Sequence, residues 1–151
     1  MTERWFAPDK LVLTGAVIGL ASLGASWLTL KPNRLISGMG LRLWEAAGPG
    51  MTAVIISLWA AALVLGWLRA NRWRSLALGA IANAILVLNF FFAGVVATGL
   101  LDGQPASARV SLGAAPWLAI IAVFFIVYAA RRGLAETALL RNFVSVAGVL
   151  A

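Results

Sequence analysis

The sequence predicts an all-α membrane protein with four transmembrane helices, followed by a partial fifth helix or an amphipathic C-terminal helix. Two observations indicate this fold class. Hydrophobic residues make up 62% of the 151 residues and charged residues only 11%, about half the charged fraction of an ordinary soluble domain. In addition, four long runs contain no Lys, Arg, Asp or Glu. We therefore treat residues 1–151 as a single transmembrane helical region.

The four spans are predicted from the lengths of these uncharged runs. A helix of about 20 residues, rising 1.5 Å per residue, crosses the hydrocarbon core of a bilayer. Because that core holds no water, each run must satisfy its own backbone hydrogen bonds, and a helix does so. The predicted spans are residues 11–30, 51–68, 75–101 and 112–130.

The last ten residues, 142–151, are mostly apolar but too few to cross a bilayer. They suit either an amphipathic helix on the membrane surface or the first part of a fifth span. Of these two interpretations, we expect the start of a fifth span in a chain that is cut within it.

The basic residues predict the orientation, because Lys and Arg are enriched in the cytoplasmic loops of membrane proteins. Two groups alternate along the chain and so fall on opposite sides of the four predicted spans. One group has eight members and the other four, which places the N-terminus in the cytoplasm. In a Gram-negative bacterium the chain would then be a multi-pass protein of the inner membrane, with its first loop in the periplasm. The larger group is Arg4, Lys10, Arg69, Arg72, Arg74, Arg131, Arg132 and Arg141, and the smaller is Lys31, Arg34, Arg42 and Arg109.

Several classes of function are disfavoured by composition. The chain has no Cys and no His, which excludes disulfides, His/Cys zinc sites and Ser–His–Asp triads. The net charge of +7 lies in short gaps between apolar runs and forms no basic stripe for nucleic acid. Glu45, Asp102 and Arg109 are isolated on separate loops, which is weak support for an enzyme. We predict no catalytic residue, no metal site and no cofactor in this chain.

Small and polar residues within the spans suggest helix packing. Gly15 and Gly19 form a Gly-x-x-x-Gly pattern, which lets helix backbones approach closely in lipid. Packing within this bundle is the simpler interpretation, and a dimer or partner interface is the alternative. Asn83 and Asn89 suit hydrogen bonds between helices, although polar residues in a solute path are also conceivable.

Seven Trp residues raise the question of an aromatic cage for a quaternary ammonium. Trp27, Trp67, Trp73 and Trp117 fall at or near predicted span ends. The aromatic belts found at membrane–water interfaces explain this placement without a ligand.

The first predicted outer loop, residues 31–50, is the most distinctive part of the chain. Leu41, Trp44 and Ala47 recur at a spacing that suits a short helix on the outer membrane face. This loop is expected to be structural and to offer a contact for a periplasmic protein. The candidate contact residues are Arg34, Arg42, Trp44 and Glu45.

Two stretches of the chain resemble a known family. Residues 32–45, PNRLISGMGLRLWE, and residues 106–119, ASARVSLGAAPWLA, look like the N-terminal region of YehY-type permease subunits. These subunits belong to ABC importers of osmoprotectants of the glycine betaine class. The similarity extends over the whole chain, and the two stretches occur in the same order and at similar spacing.

The resemblance implies a function and partners. The chain would be the N-terminal membrane-embedded part of an ABC permease for osmoprotectant uptake, and it would support the transport domain rather than catalyse. ATP would be used by a separate ATPase subunit, and a periplasmic substrate-binding protein would deliver the solute. The alternative is a free-standing four-helix membrane protein with a scaffold or regulatory role. In either case the chain contacts membrane lipid and no nucleic acid.

Overall fold

The computed structural model describes residues 8–31 and 38–133, and within them the chain forms five helices and three short strands. In chain order these elements are α1 (Lys10–Ser22), β1 (Leu28–Lys31), β2 (Met39–Leu41), α2 (Leu43–Ala46), α3 (Gly48–Trp67), α4 (Arg72–Leu101), β3 (Arg109–Leu112) and α5 (Ala114–Gly133).

The helices begin where the sequence supplies capping groups. The Asp9 carboxylate accepts a hydrogen bond from the backbone N–H of Leu11 at 3.2 Å, at the start of α1. The Asn71 side chain accepts one from the N–H of Arg74 at 2.7 Å, at the start of α4. Pro49 lies in the first turn of α3, where its missing N–H costs no helical hydrogen bond.

The four longer helices pack in a ring. Helix α1 contacts α3 and α5, and α4 contacts the same two helices. The core between them alternates bulky side chains with alanines, which bring helix axes close together. Fully buried examples are Trp59, Ile85, Ile126, Ala62, Ala82 and Ala122.

The predicted first span, residues 11–30, is helical only at its beginning. Helix α1 ends at Ser22 after 13 residues, about 20 Å at the rise of an α-helix. A turn follows, in which the N–H groups of Gly24 and Ala25 donate to carbonyls three residues back. Leu28–Lys31 then forms β1 instead of a last helical turn. The prediction of a helix over these last residues failed because pairing with two neighbouring strands satisfies their backbone N–H and C=O groups as well as a helix does.

Three helices within the described part of the chain are long and apolar enough to cross a membrane: Gly48–Trp67, Arg72–Leu101 and Ala114–Arg132. They correspond to the predicted spans 51–68, 75–101 and 112–130. The expected count of four such helices is not confirmed, because α1 is too short by this measure. The predicted partial fifth helix, residues 142–151, lies outside the described residues.

A small antiparallel sheet also corrects the purely helical prediction. Its strand order is β2–β1–β3. Leu28 lies opposite both Leu41 and Leu112, and Thr29 lies opposite both Gly40 and Ser111. Because β1 is the central strand, it has hydrogen-bonding partners on both sides.

Candidate functional site

The structured features that reach beyond the helical core lie at opposite ends of the bundle. We call one the ion-paired end, formed by Asp9, Leu65, Gly66, Asn71 and Arg74. We call the other the sheet end, formed by the three strands and α2. Helices α1 and α4 begin at the ion-paired end, and α3 ends there.

The ion-paired end ties three helix termini together. The Nη2 of Arg74 donates to Oδ2 of Asp9 at 2.7 Å, and its Nε donates to the carbonyl of Leu65 at 2.8 Å. The N–H of Asp9 donates to the carbonyl of Gly66 at 2.8 Å. The Arg74 side chain is only 5% exposed. Its charge therefore acts with little screening by water.

Sequence reasoning assigned Arg74 only to the count of basic residues and missed this cluster. A signal was present, because Asn71 three residues before Arg74 is a typical N-cap. The pairing with Asp9, 65 residues away, has no local signature. It depends on how α1 packs against the α3–α4 connection.

The sheet end has one apolar and one polar face, as alternation along strands requires. The apolar face continues into the hydrophobic core, and Leu28 is only 1% exposed. We define the polar face as Thr29, Lys31, Arg109 and Ser111, together with Gly40 of β2 and Gly38 just before β2. Helix α4 contacts both β1 and β3, so the sheet lies beside the last turns of this helix.

The segment Ser26–Trp27 joins the sheet to α5. The N–H of Gly113 donates to the carbonyl of Trp27, and the N–H of Ala115 donates to that of Ser26. The Ser26 carbonyl occupies the place that a Cβ on Gly113 would take. The close approach of these two segments therefore requires glycine at position 113. Trp27 is buried, contrary to the expectation that it belongs to an aromatic belt.

The predicted partner-contact residues fall partly on α2. Arg42 and Trp44 are exposed, and the Arg42 guanidinium carbon lies 5.2 Å from the centroid of the Trp44 ring. Glu45 is also exposed, and its Oε2 accepts a hydrogen bond from the N–H of Arg42 at 2.7 Å. The structure therefore brings these three residues together. Arg34 lies outside the described residues.

Gly15 and Gly19 are buried against neighbouring helices of the same chain. A Cβ on Gly15 would lie 2.7 Å from the carbonyl oxygen of Ala122 in α5. The space beside Gly19 is filled by the indole ring of Trp59 in α3. A side chain at either glycine would force α1 away from its neighbours.

The two asparagines of α4 differ in environment. Asn89 is buried, and its amide donates to the carbonyl of Ile85 in the same helix at 2.9 Å. Asn83 is exposed on the surface of the bundle. The structure thus does not bring the two residues to a common site.

The remaining Trp residues named from the sequence, Trp67, Trp73 and Trp117, are exposed and lie at helix ends. Trp67 and Trp73 lie at the ion-paired end, whereas Trp117 lies near the start of α5 at the sheet end, so the structure does not bring the three together. Within the described ranges, no three His, Cys, Asp or Glu residues lie close enough to hold a metal ion.

These features define a helical membrane protein with a structured cap at one end. Comparison with known families gives the same class. The family model for the N-terminal domain of the ABC transporter permease YehY matches residues 9–151. The chain belongs to this family. No curated protein and no solved structure matches it. An ABC permease domain is a transport component rather than an enzyme, and such permeases in general work with an ATPase and a substrate-binding protein.

Proposed function

We propose that this chain is the membrane-embedded N-terminal part of a permease that takes up osmoprotectants of the glycine betaine class. In this role it supports the transport domain and does not itself form the solute path. The observation that carries the proposal is the family match over residues 9–151. The solute class is supported by the resemblance of residues 32–45 and 106–119 to osmoprotectant permeases.

The interior of the bundle agrees with a supporting role. The predicted spans hold no Lys, Arg, Asp or Glu, whereas ion-coupled carriers usually place an ionisable residue at membrane depth. The core is instead filled by apolar side chains from all four longer helices. Gly15, Gly19 and Asn89 are proposed to serve helix packing.

The orientation is part of the proposal. The bias of basic residues supports a cytoplasmic ion-paired end and a periplasmic sheet end. In this orientation the polar face, Arg42, Trp44 and Glu45 are available to a periplasmic protein.

Uptake by the complete transporter tests this function. The full-length permease, its ATPase and its substrate-binding protein are reconstituted in liposomes, and entry of radiolabelled glycine betaine is compared with that of maltose. We expect ATP-dependent entry of glycine betaine alone. In a permease lacking residues 9–133, we expect uptake to fall together with the amount of assembled permease, while transport per assembled complex persists.

Two results would contradict the proposal. Failure to transport any quaternary ammonium solute would remove the assigned solute class. A stable homo-oligomer that binds no ATPase, seen by native mass spectrometry, would favour a free-standing scaffold protein instead.

A further inference from the structure

One face of α4 combines small, polar and apolar residues that the described part of the chain leaves uncovered. At 3.6 residues per turn, these residues lie within about 80° of one another around the helix axis. All of them are exposed. We call them the α4 stripe: Ala80, Asn83, Val87, Phe91, Gly94 and Thr98.

The Asn83 side chain has no hydrogen-bonding partner among the described residues. Other polar side chains of the same helix are satisfied within it. Asn89 donates to the carbonyl of Ile85 at 2.9 Å, and the Thr98 hydroxyl donates to the carbonyl of Val95 at 2.7 Å. The amide of Asn83 therefore leaves both its donor and its acceptor groups open on the surface of α4.

Asn83 falls within the hydrocarbon core wherever the bilayer lies along α4. The helix runs from Arg72 to Leu101, which is about 44 Å at 1.5 Å per residue, and Asn83 lies about 17 Å from its first residue. The hydrocarbon core is about 30 Å thick, so every position that keeps the core within the helix includes Asn83. An amide that faces lipid at this depth finds no water to bind, and an unpaired amide there is costly.

The exposed face of α5 differs from the α4 stripe. It carries Trp117, Ile121, Phe124 and Tyr128, each at least half exposed, and such large side chains suit contact with lipid. On the α4 stripe, by contrast, a Cβ on Gly94 would meet no atom within 4 Å. The backbone of another helix can therefore approach α4 closely on this side.

We propose that the α4 stripe is the contact surface for a second copy of this chain, with the two α4 helices parallel about a two-fold axis along the membrane normal. An amide both donates and accepts hydrogen bonds, so two Asn83 side chains facing each other across the axis satisfy one another. Symmetry thus supplies the complementary polar group, which an acyl chain does not offer. A single Asn between paired helices also fixes their register.

Cross-linking of single cysteines tests this pairing, because the chain contains no Cys. In an otherwise cysteine-free full-length permease in native membranes, Val87→Cys places a thiol one turn from Asn83, close to the proposed axis. Oxidation with copper phenanthroline, followed by gel electrophoresis without reductant, measures the disulfide-linked dimer. We expect at least about fivefold more dimer than for the control, because a disulfide forms only when the two Cα atoms come within about 7 Å.

The matched control is Ile121→Cys on α5. The ring centroids of Phe90 and Trp117 are 6.4 Å apart, and α4 and α5 run in opposite directions, so Ile121 lies at nearly the same depth as Val87. The exposed fractions also match, at 50% for Ile121 and 49% for Val87. The two thiols therefore differ mainly in the helix face that carries them.

Substitution of Asn83 separates the hydrogen bond from apolar contact. In the Val87→Cys background, Asn83→Leu should lower the yield of dimer about 5–10-fold, because it removes the polar contact between the helices. Asn83→Gln should retain most of the dimer, since its amide still donates and accepts. Because Asn83 is exposed, both variants should keep the fold, and circular dichroism checks this. An unchanged yield in the Leu variant would overturn pairing through the amides.

The other outcomes name a different occupant. If Val87→Cys gives no more dimer than Ile121→Cys, the proposal is wrong. A spin label at position 87 then distinguishes the alternatives: ready access for oxygen dissolved in lipid assigns the stripe to lipid, and shielding assigns it to a helix elsewhere in the permease. Glycine betaine uptake is measured separately, so this inference and the proposed function can each fail while the other stands.

Discussion

At the scale of single residues, Arg74 makes the most consequential contact in the structure. It binds Asp9 and the carbonyl of Leu65, so one guanidinium holds the start of α1 and the end of α3 against the start of α4. A buried charge is costly unless it is paired and hydrogen-bonded. The contact therefore matters mainly because removing the Asp9 carboxylate would leave the buried Arg74 guanidinium without a counter-ion.

We predict that Asp9→Asn lowers the free energy of unfolding by about 1–3 kcal/mol, because the buried guanidinium would lose its counter-ion. The partial exposure of Asp9, 27%, keeps the expected loss at the lower end of the range for buried pairs. Chemical unfolding in detergent micelles, followed by Trp fluorescence, measures the change.

The matched control is Asp102→Asn, which makes the same chemical change at an exposed residue. It should alter the free energy of unfolding by no more than about 0.5 kcal/mol. If both variants lost the same free energy of unfolding, the ion pair would not stabilise the fold more than the exposed Asp102 does.

At the scale of elements, the sheet is the feature whose existence most needs a direct test. The chain contains no Cys, so pairs of cysteines can be introduced without a background. We predict that Thr29→Cys/Ser111→Cys forms a disulfide readily. Opposite residues in antiparallel strands have Cα atoms about 4.5–5.5 Å apart, which suits a disulfide.

The control pair is Leu30→Cys/Ser111→Cys, whose side chains lie on opposite faces of the sheet. Gel mobility of the protein after mild oxidation, with and without reductant, measures cross-linking of both variants. Similar cross-linking of the two pairs would indicate that residues 28–31 do not hold the register described.

The same elements show what sequence reasoning can and cannot predict. The runs at 51–68 and 75–101 were identified by the absence of charge alone, because their hydrogen bonds are satisfied within each helix. The strand at Leu28–Lys31 was missed, because hydropathy does not distinguish an apolar strand from an apolar helix. Its partner strand, Arg109–Leu112, lies about 80 residues further along the chain. No local sequence pattern indicates pairing between segments so far apart.

The candidate site was predictable to a similar degree. Arg42, Trp44 and Glu45 were named from a short amphipathic pattern, and the structure places them together on and beside α2. The position of Arg109 opposite Lys31 on the polar face was not predicted, because it exists only through strand register. Local chemistry could be read from the sequence, whereas the juxtaposition of distant loops could not.

At the scale of the whole molecule, the two ends differ in character and should face different compartments. We predict that Gln104→Cys is labelled by a membrane-impermeant maleimide in intact spheroplasts, whereas Ala70→Cys is labelled only after permeabilisation. Both residues are exposed and uncharged, so neither change alters the distribution of basic residues that sets orientation.

Labelling is measured by mass spectrometry of the purified protein, and labelling of both variants after permeabilisation serves as the control. The reverse pattern would place the sheet end in the cytoplasm. The proposed contact with a periplasmic protein would then be impossible.

The central position of β1 has a consequence for biogenesis. This strand follows the first helix, yet one of its two neighbours, β3, immediately precedes the last described helix. A nascent chain that has emerged only as far as α4 therefore carries β1 with one side unpaired. The sheet is completed only when the hairpin of α4 and α5 inserts, so until then the backbone N–H and C=O groups along one edge of β1 stay unpaired and open to pairing with another chain.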